Sequence, residues 1–275
     1  MGAARARRFA ARLGGLARAR LSALAAVLAL AVAVVLVLVL VPGEKQPGEE
    51  WIEPVPLADK GSSVPPAYEG GWEGPMPTPQ GNKGYARLDV ARGDKGQRVA
   101  LLTEMGETYL CRSTLKLGAV EPGRIRLRSG ERKGAIPGGA CTKPPGVQTL
   151  ALQADGSLAL TRGTTVTVLR PAPTGPRPVP PGYTGTWRAA DRGRIAVTVR
   201  QGQIGTAATT IRTATCTGRL VLVSASAERL KFGPVAGCED SPSTELVPAP
   251  DGSMLLTDPN DPEDVPLRLV RDRKR

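Results

Sequence analysis

The outer part of this chain is written twice, so it must fold as two copies of one architecture. The run Pro66-Ala67-Tyr68-Glu69-Gly70-Gly71-Trp72 returns 115 residues later as Pro181-Gly182-Tyr183-Thr184-Gly185-Thr186-Trp187. Downstream of each run lies a pair of cysteines, Cys111 and Cys141 in the first copy, Cys216 and Cys238 in the second. An Asp-Gly-Ser turn follows, at Asp155–Ser157 and Asp251–Ser253. Counted from the first cysteine, apolar residues fall at +4, +6, +14 and +16 in both copies: Leu115, Leu117, Ile125 and Leu127, then Leu220, Leu222, Leu230 and Phe232. This period of two describes a pair of antiparallel strands, each turning one face to a core. A Gly-x-x-Gly turn precedes the pair in each copy, Gly93–Gly96 and Gly202–Gly205.

About six short strands are expected per copy, with no convincing helix over roughly 100 residues, which points to a small barrel or sandwich. The Asp-Gly steps between alternating apolar residues predict type I′ hairpins, because that turn needs positive φ. The expected fold is therefore all-β: two tandem small antiparallel barrel or sandwich domains, residues 66–170 and 181–271. Between them Pro171–Pro181 holds six prolines in eleven residues and reads as a semi-rigid linker, 171–180.

The formal charge of +12 suggests a nucleic-acid partner until it is divided by position. Six arginines and no acid lie in residues 1–20, and residues 21–41 carry no charge. The remainder holds 31 basic and 25 acidic residues, a mildly basic exterior, and only 3% of the chain is aromatic. Neither the basic footprint nor the stacking platforms of a nucleic-acid binder are present, so no nucleic acid is expected as a partner.

Leu21–Val41 is an unbroken run of Leu, Ala and Val except for Ser22. As a helix, 21 residues span roughly 31 Å, the thickness of a bilayer core. The run is longer than the apolar region of a cleaved signal peptide and reads as a transmembrane signal anchor. The flanking arginines keep the short basic segment 1–20 in the cytoplasm, and the C-terminal domains lie outside the cell membrane. Residues 42–65, rich in proline and acids, form a stalk, and 272–275 a basic tail.

An extracytoplasmic placement favours disulfides. Each copy contains one cysteine pair, so the repeat selects Cys111–Cys141 and Cys216–Cys238. Zinc is the alternative, but neither copy has a CxxC and the chain has no histidine. Asp258–Asp264 gathers acids, yet Pro262 and a missing glycine spoil the pattern of a calcium loop, and a solvated turn is expected. The tail Arg271–Arg275 is read as disordered, with an anionic wall polymer or lipid headgroup as the alternative contact.

The lack of histidine removes the commonest general base, and no nucleophile elbow, P-loop or dinucleotide fingerprint occurs. The acids nearest strand edges, Asp89, Glu104 and Glu107, have no counterparts in the second copy, which argues against a duplicated catalytic site. Trp72 and Trp187, with Tyr68 and Tyr183 from the same motif, admit two roles. They could form a stacking platform in a barrel mouth, or plug the base of a small core beside a closing arginine; the second is expected. No cofactor or metal is anticipated.

The order Pro-x-Tyr-x-Gly-x-Trp, strand pair, Cys, hairpin, Cys, Gly-Ser-Leu-x-Leu resembles the extracytoplasmic modules behind the membrane helix of some actinobacterial receptor serine/threonine kinases and related single-pass membrane proteins. Gly185-Thr186-Trp187-Arg188 matches most closely and Gly70-Gly71-Trp72-Glu73 more loosely; a Gly-x-Trp at a first strand also occurs in lipocalin-like barrels. The resemblance spans both copies. No kinase domain accompanies it, so it implies sensor-like binding without signalling chemistry. The expected function is a membrane-anchored, non-enzymatic binding protein for a small molecule, wall component or envelope protein. A structural or inhibitor-like subunit of an envelope complex is the alternative, and a carboxylate-dependent wall hydrolase a third. Features found once, including the eight extra residues between the first copy's cysteines, are where a specific activity is expected.

Overall fold

In a computed structural model the described residues are 63–77, 83–136, 141, 146–190, 194–234, 238, 243–259 and 265–272. Residues 1–62, where the sequence leads one to expect a cytoplasmic segment, a membrane anchor and nearly all of a stalk, lie outside them, as do most of the acidic 258–264 stretch and the last three residues. Among the described residues there is no α-helix, and none long and apolar enough to cross a membrane.

The first copy is a closed, antiparallel, up-and-down barrel of eight strands. These are β1 (Gly70–Pro77), β2 (Lys83–Val90), β3 (Arg98–Met105), β4 (Leu110–Glu121), β5 (Arg124–Ile136), β6 (Val147–Leu152), β7 (Leu158–Arg162) and β8 (Thr165–Ala172), with β8 returning to β1. Six strands were expected. The composition of β1 explains part of the shortfall, since three glycines and two prolines in eight residues read as a loop. Packing makes it a strand: a Cβ at Gly74 would sit 2.4 Å from the Val168 carbonyl oxygen, so only glycine lets β1 and β8 approach and close the barrel.

The second copy contains β9 (Gly185–Ala189), β10 (Ala196–Val199), β11 (Thr209–Arg212), β12 (Thr217–Leu220), β13 (Leu222–Ala225), β14 (Leu230–Phe232), β15 (Thr244–Pro248), β16 (Met254–Thr257) and β17 (Leu267–Arg271). Their order, β12-β11-β10-β9-β17-β16-β15-β14-β13, repeats the first barrel with its fourth strand divided. Val221 alone separates β12 from β13, so the sheet is a barrel closed except at this break. The choice between barrel and sandwich is thus settled in favour of barrels.

The shared periodicity produces the cores. Leu115, Leu117, Ile125 and Leu127 are buried in one, and Leu220, Leu222, Leu230 and Phe232 in the other. The Gly-x-x-Gly turns act identically: Gly96 and Gly205, at φ +88° and +81°, donate their N–H groups to the carbonyls of Leu117 and Leu222. Both disulfides pair within a copy, Cys111–Cys141 and Cys216–Cys238, and no free cysteine remains.

The Asp-Gly turns differ from expectation. Only the glycines have positive φ, +78° at Gly156 and +80° at Gly252. Gly156 N–H donates to the Gln153 carbonyl and Gln153 N–H to the Ser157 carbonyl, with the same pattern at Ala249, Gly252 and Ser253. Each is a type I turn ending in a left-handed glycine bulge rather than a type I′ turn, which would need Asp at positive φ as well. The aspartates hold the loops by accepting from Ser157 N–H and Oγ (3.0 and 2.6 Å) and from Ser253 N–H and Oγ (3.1 and 2.6 Å).

The described residues of the two barrels belong to one compact unit. An apolar cluster of Met105, Leu110 and Ile136 from the first barrel with Val221 and Val223 from the second joins the two. Leu110 presses so closely on β14's end that a Cβ at Gly233 would lie 2.6 Å from its Cδ2. The buried Arg112 guanidinium donates to the Gly205 carbonyl across the junction at 2.9 Å. The proline-rich stretch is tied down: Pro171 and Ala172 complete β8, Arg87 donates to the Pro173 carbonyl (2.7 Å), and Val179 is buried.

Candidate functional site: the cleft between the barrels

In a small barrel one face of every strand fills the interior, and the other is left for solvent or a partner. On β2, Ala86, Leu88 and Val90 point inward, which turns Tyr85, Arg87 and Asp89 outward toward the second barrel. Glu73 on β1 shares that outer face, one residue beyond the inward Trp72. The opposing wall comes from Ser224 on β13, Lys231 on β14 and Glu245 on β15. Between Glu73 and Tyr85 on one side and these residues on the other lies a cleft of about 500 Å³, to which Pro75, Met105, Ser226, Arg229, Ser243 and Pro259 also contribute; Arg87 and Asp89 line a separate, smaller depression with Gln203 and Ile204.

The walls are charged but internally matched. Arg87, 1% exposed, donates to Glu73 at 2.8 Å and forks onto Asp89 through Nη2 (2.8 Å) and Nε (3.1 Å). Burial opposes its charged form, but Asp89 and then Glu73 outweigh that and hold its pKa above the ordinary value. Ser224 Oγ donates to the other Glu73 oxygen at 2.7 Å, bridging the barrels. Across the cleft Lys231 and its cross-strand partner Glu245 form an ion pair, which Arg229 joins at 3.3 Å. The Lys231 ammonium lies 4.6 Å above the Tyr85 ring, a second bridge. Burial, then the Glu73 charge, raises the Tyr85 pKa well beyond the usual phenol range, so its hydroxyl stays protonated. The cleft thus offers one rigid aromatic ring, a protonated phenol and hydroxyls, framed by neutralised charges.

The aromatics repeated in both copies lie elsewhere. Trp72 and Trp187 are buried at the base of each barrel, and their ring N–H groups donate to the carbonyls of Tyr68 and Tyr183 at 2.9 and 2.8 Å. Each tyrosine ends a single 3₁₀ turn, Pro66–Tyr68 or Pro181–Tyr183, folded across the barrel end. Arg271 stacks 4.5 Å over the Trp187 ring and donates to the carbonyls of Thr184 and Gly182. In the first barrel the register places Pro171 opposite Trp72 instead. The Tyr183 hydroxyl donates to the Ala227 carbonyl at 3.2 Å, and burial with help from Glu228 pushes its pKa up to about 12.

Of the acids singled out from sequence, Asp89 joins the Arg87 network and Glu104 pairs with Arg162. The Glu107 carbonyl accepts from the Ser243 N–H across the junction. Part of the first copy's extra length lies in the long β4–β5 hairpin, whose end brings Ile136 opposite Leu110 in the inter-barrel cluster. Arg271 and Asp272, at the edge of the basic tail, are fixed, the latter by Arg188 at 2.7 Å. Among the described residues no three His, Cys, Asp or Glu side chains assemble as metal ligands.

Sequence reasoning missed Glu73, Tyr85, Arg87, Lys231 and Glu245. A signal existed: aligning the two registers sets Glu73 against Arg188, Tyr85 against Arg194, Arg87 against Ala196, Lys231 against Arg126 and Glu245 against Thr149. None of these positions is shared. No family model matches this chain, nor do any of the curated proteins or solved structures compared with it.

Proposed function

We propose that this chain is a membrane-anchored, extracytoplasmic, non-enzymatic binding protein whose ligand occupies the cleft between the two barrels. The observation that carries this reading is the cleft's make-up, a concave site of ligand size built from residues the copies do not share. The shared residues support it by having structural duties: the tryptophans close barrel ends, the cysteines tie loops and the Asp-Gly-Ser turns end hairpins. Each cleft carboxylate already accepts from a cation, so neither stands ready as a general base, which favours binding over hydrolysis. The anchor rests on the sequence of residues 21–41.

The test uses the full chain in detergent, with soluble cell-wall fragments as probes. Binding is expected to weaken about tenfold or more in Tyr85→Ala and Lys231→Ala, and to survive Trp72→Phe. Turnover of the fragments at enzyme-like rates would refute the non-enzymatic reading. Crosslinking in intact cells addresses the alternative: a stoichiometric membrane partner would instead make the chain a structural subunit of an envelope complex.

A further inference from the structure

The barrels meet head to tail, each through a different surface. The second barrel supplies a row of small apolar residues on its outer wall: Ala207 just before β11, Val221 at the break between β12 and β13, and Gly233 just after β14. Gly233 N–H donates to the Val221 carbonyl, and the row packs against Met105, Leu110 and Ile136 of the first barrel. The first barrel has the same three positions. Lys116 and Val221 each follow the first cysteine of their copy by five residues, and Arg128 and Gly233 follow it by 17. Arg98 and Ala207 each follow the second glycine of the Gly-x-x-Gly turn by two. Related units that meet through unlike surfaces leave one copy of each surface over. Here the wall left over is that of Arg98, Lys116 and Arg128.

That wall is basic. Inward Leu115, Leu117, Ile125 and Leu127 turn Lys116, Arg124, Arg126 and Arg128 outward. Lys116 stands opposite Arg98 on β3 and opposite Arg128 on β5, so three cations cross the sheet side by side. Like charges facing each other across strands destabilise a sheet. Among the described residues none of the three makes an ion pair. Along β5 the cations continue as Arg126 and Arg124, both about half exposed, which share the Glu121 carboxylate at 2.8 and 2.6 Å. Glu131 also comes near, but Lys133 holds it at 2.7 Å. Five cations against the one carboxylate of Glu121 leave a net charge of about +4.

We propose that this wall binds a flexible linear polyanion with a repeated phosphate group. A second copy of the chain does not fit, because packing the wall against an apolar barrel end, as its counterpart does, would bury three unpaired charges. The row has no aromatic ring on which a base could stack, so the polymer is not a nucleic acid. A bilayer fits poorly as well. Successive strands of an eight-stranded barrel turn by about 45°, so β3, β4 and β5 aim their cations over about 90° and a flat surface meets them one strand at a time. A flexible chain follows the curve. Neighbouring strands lie about 4.8 Å apart and alternate residues of one strand about 6.7 Å, so long, flexible side chains on the wall can each reach a successive phosphate. None of these cations lines the cleft between the barrels, so this site is additional to the one proposed there.

The full chain in a zwitterionic detergent is titrated with linear inorganic polyphosphate at physiological ionic strength. Saturable binding is expected, with Lys116 protected from acylation. The variant Arg98→Gln/Lys116→Gln/Arg128→Gln should bind about tenfold or more weakly. Its slope of log affinity against log salt should be shallower by about two, since each phosphate contact on a single strand contributes roughly 0.7. It should melt no lower than wild type, because the facing like charges are gone. The variant Arg5→Gln/Arg7→Gln/Arg8→Gln removes as much charge elsewhere and should bind within about threefold of wild type. Absence of saturable binding overturns the proposal, and so does an equal loss in the two variants. A lower melting temperature in the wall variant also overturns it, by giving the row a duty in the fold. Equal or stronger protection of Lys116 by phosphatidylglycerol added to the micelles would make the wall a lipid-docking face instead.

Discussion

Replacing Trp187 by phenylalanine tests the assignment of the repeated aromatics to structure rather than to ligand. Trp187 is 1% exposed, and its ring N–H donates to the Tyr183 carbonyl at 2.8 Å. Phenylalanine cannot donate, and the abandoned buried acceptor costs about 1–3 kcal/mol. The smaller ring leaves space that adds about 1 kcal/mol. The expected loss is about 2–4 kcal/mol. Trp72→Phe should cost nearly as much, since its hydrogen bond to the Tyr68 carbonyl is equivalent at 2.9 Å. Arg271 separates the two sites, because it stacks on Trp187 while Pro171 stands opposite Trp72. A double-mutant cycle of Trp187→Phe with Arg271→Met should return a coupling of about 0.5–1 kcal/mol. Urea denaturation of the full chain measures each step, and binding of cell-wall fragments is followed on the same samples. The reasoning fails if either phenylalanine variant stays within about 0.5 kcal/mol of wild type, as a surface change would, while binding is lost.

Outcomes are also expected for four further variants. Tyr183→Phe should flatten the alkaline limb of stability: with its pKa raised from 10 to about 12, the stabilisation by Tyr183 is complete below pH 10 and lost as pH climbs toward 12, so denaturation midpoints over that window should fall less in the variant. Gly252→Ala should cost about 1–2 kcal/mol from its φ of +80° alone, as its Cβ meets nothing within 4 Å. Gly205→Ala, at φ +81° with its Cβ 2.8 Å from the Arg112 guanidinium, should cost clearly more by thermal denaturation, and equal costs would dismiss Arg112 as a clamp. Val221→Asp puts a carboxylate into the apolar inter-barrel cluster at a cost of several kcal/mol and should loosen the junction, seen in small-angle scattering as a larger radius of gyration.

Much of the fold is legible in the chain because strand period and turn chemistry are local properties. The apolar offsets after Cys111 and Cys216 mark core positions residue by residue, since side chains alternate faces wherever a strand forms. The cysteine pairing is legible because a duplicated unit closes its own loop. Three features escape local reading. The glycine- and proline-rich β1 becomes a strand only because β2 and β8 flank it. The Asp-Gly turns take their type from the loop length between paired strands. The proline-rich stretch looks like a spacer, but Arg87 and a buried Val179 hold it to the barrels.

The repeat by itself determined two disulfide-closed β-units with tryptophan-sealed ends, because every residue it shares answers to its own barrel. Where those barrels touch was decided by tertiary structure. Glu73, Tyr85, Lys231 and Glu245 are outward positions on strands far apart in sequence, and an outward side chain's environment depends on what packs against it, not on its neighbours along the chain.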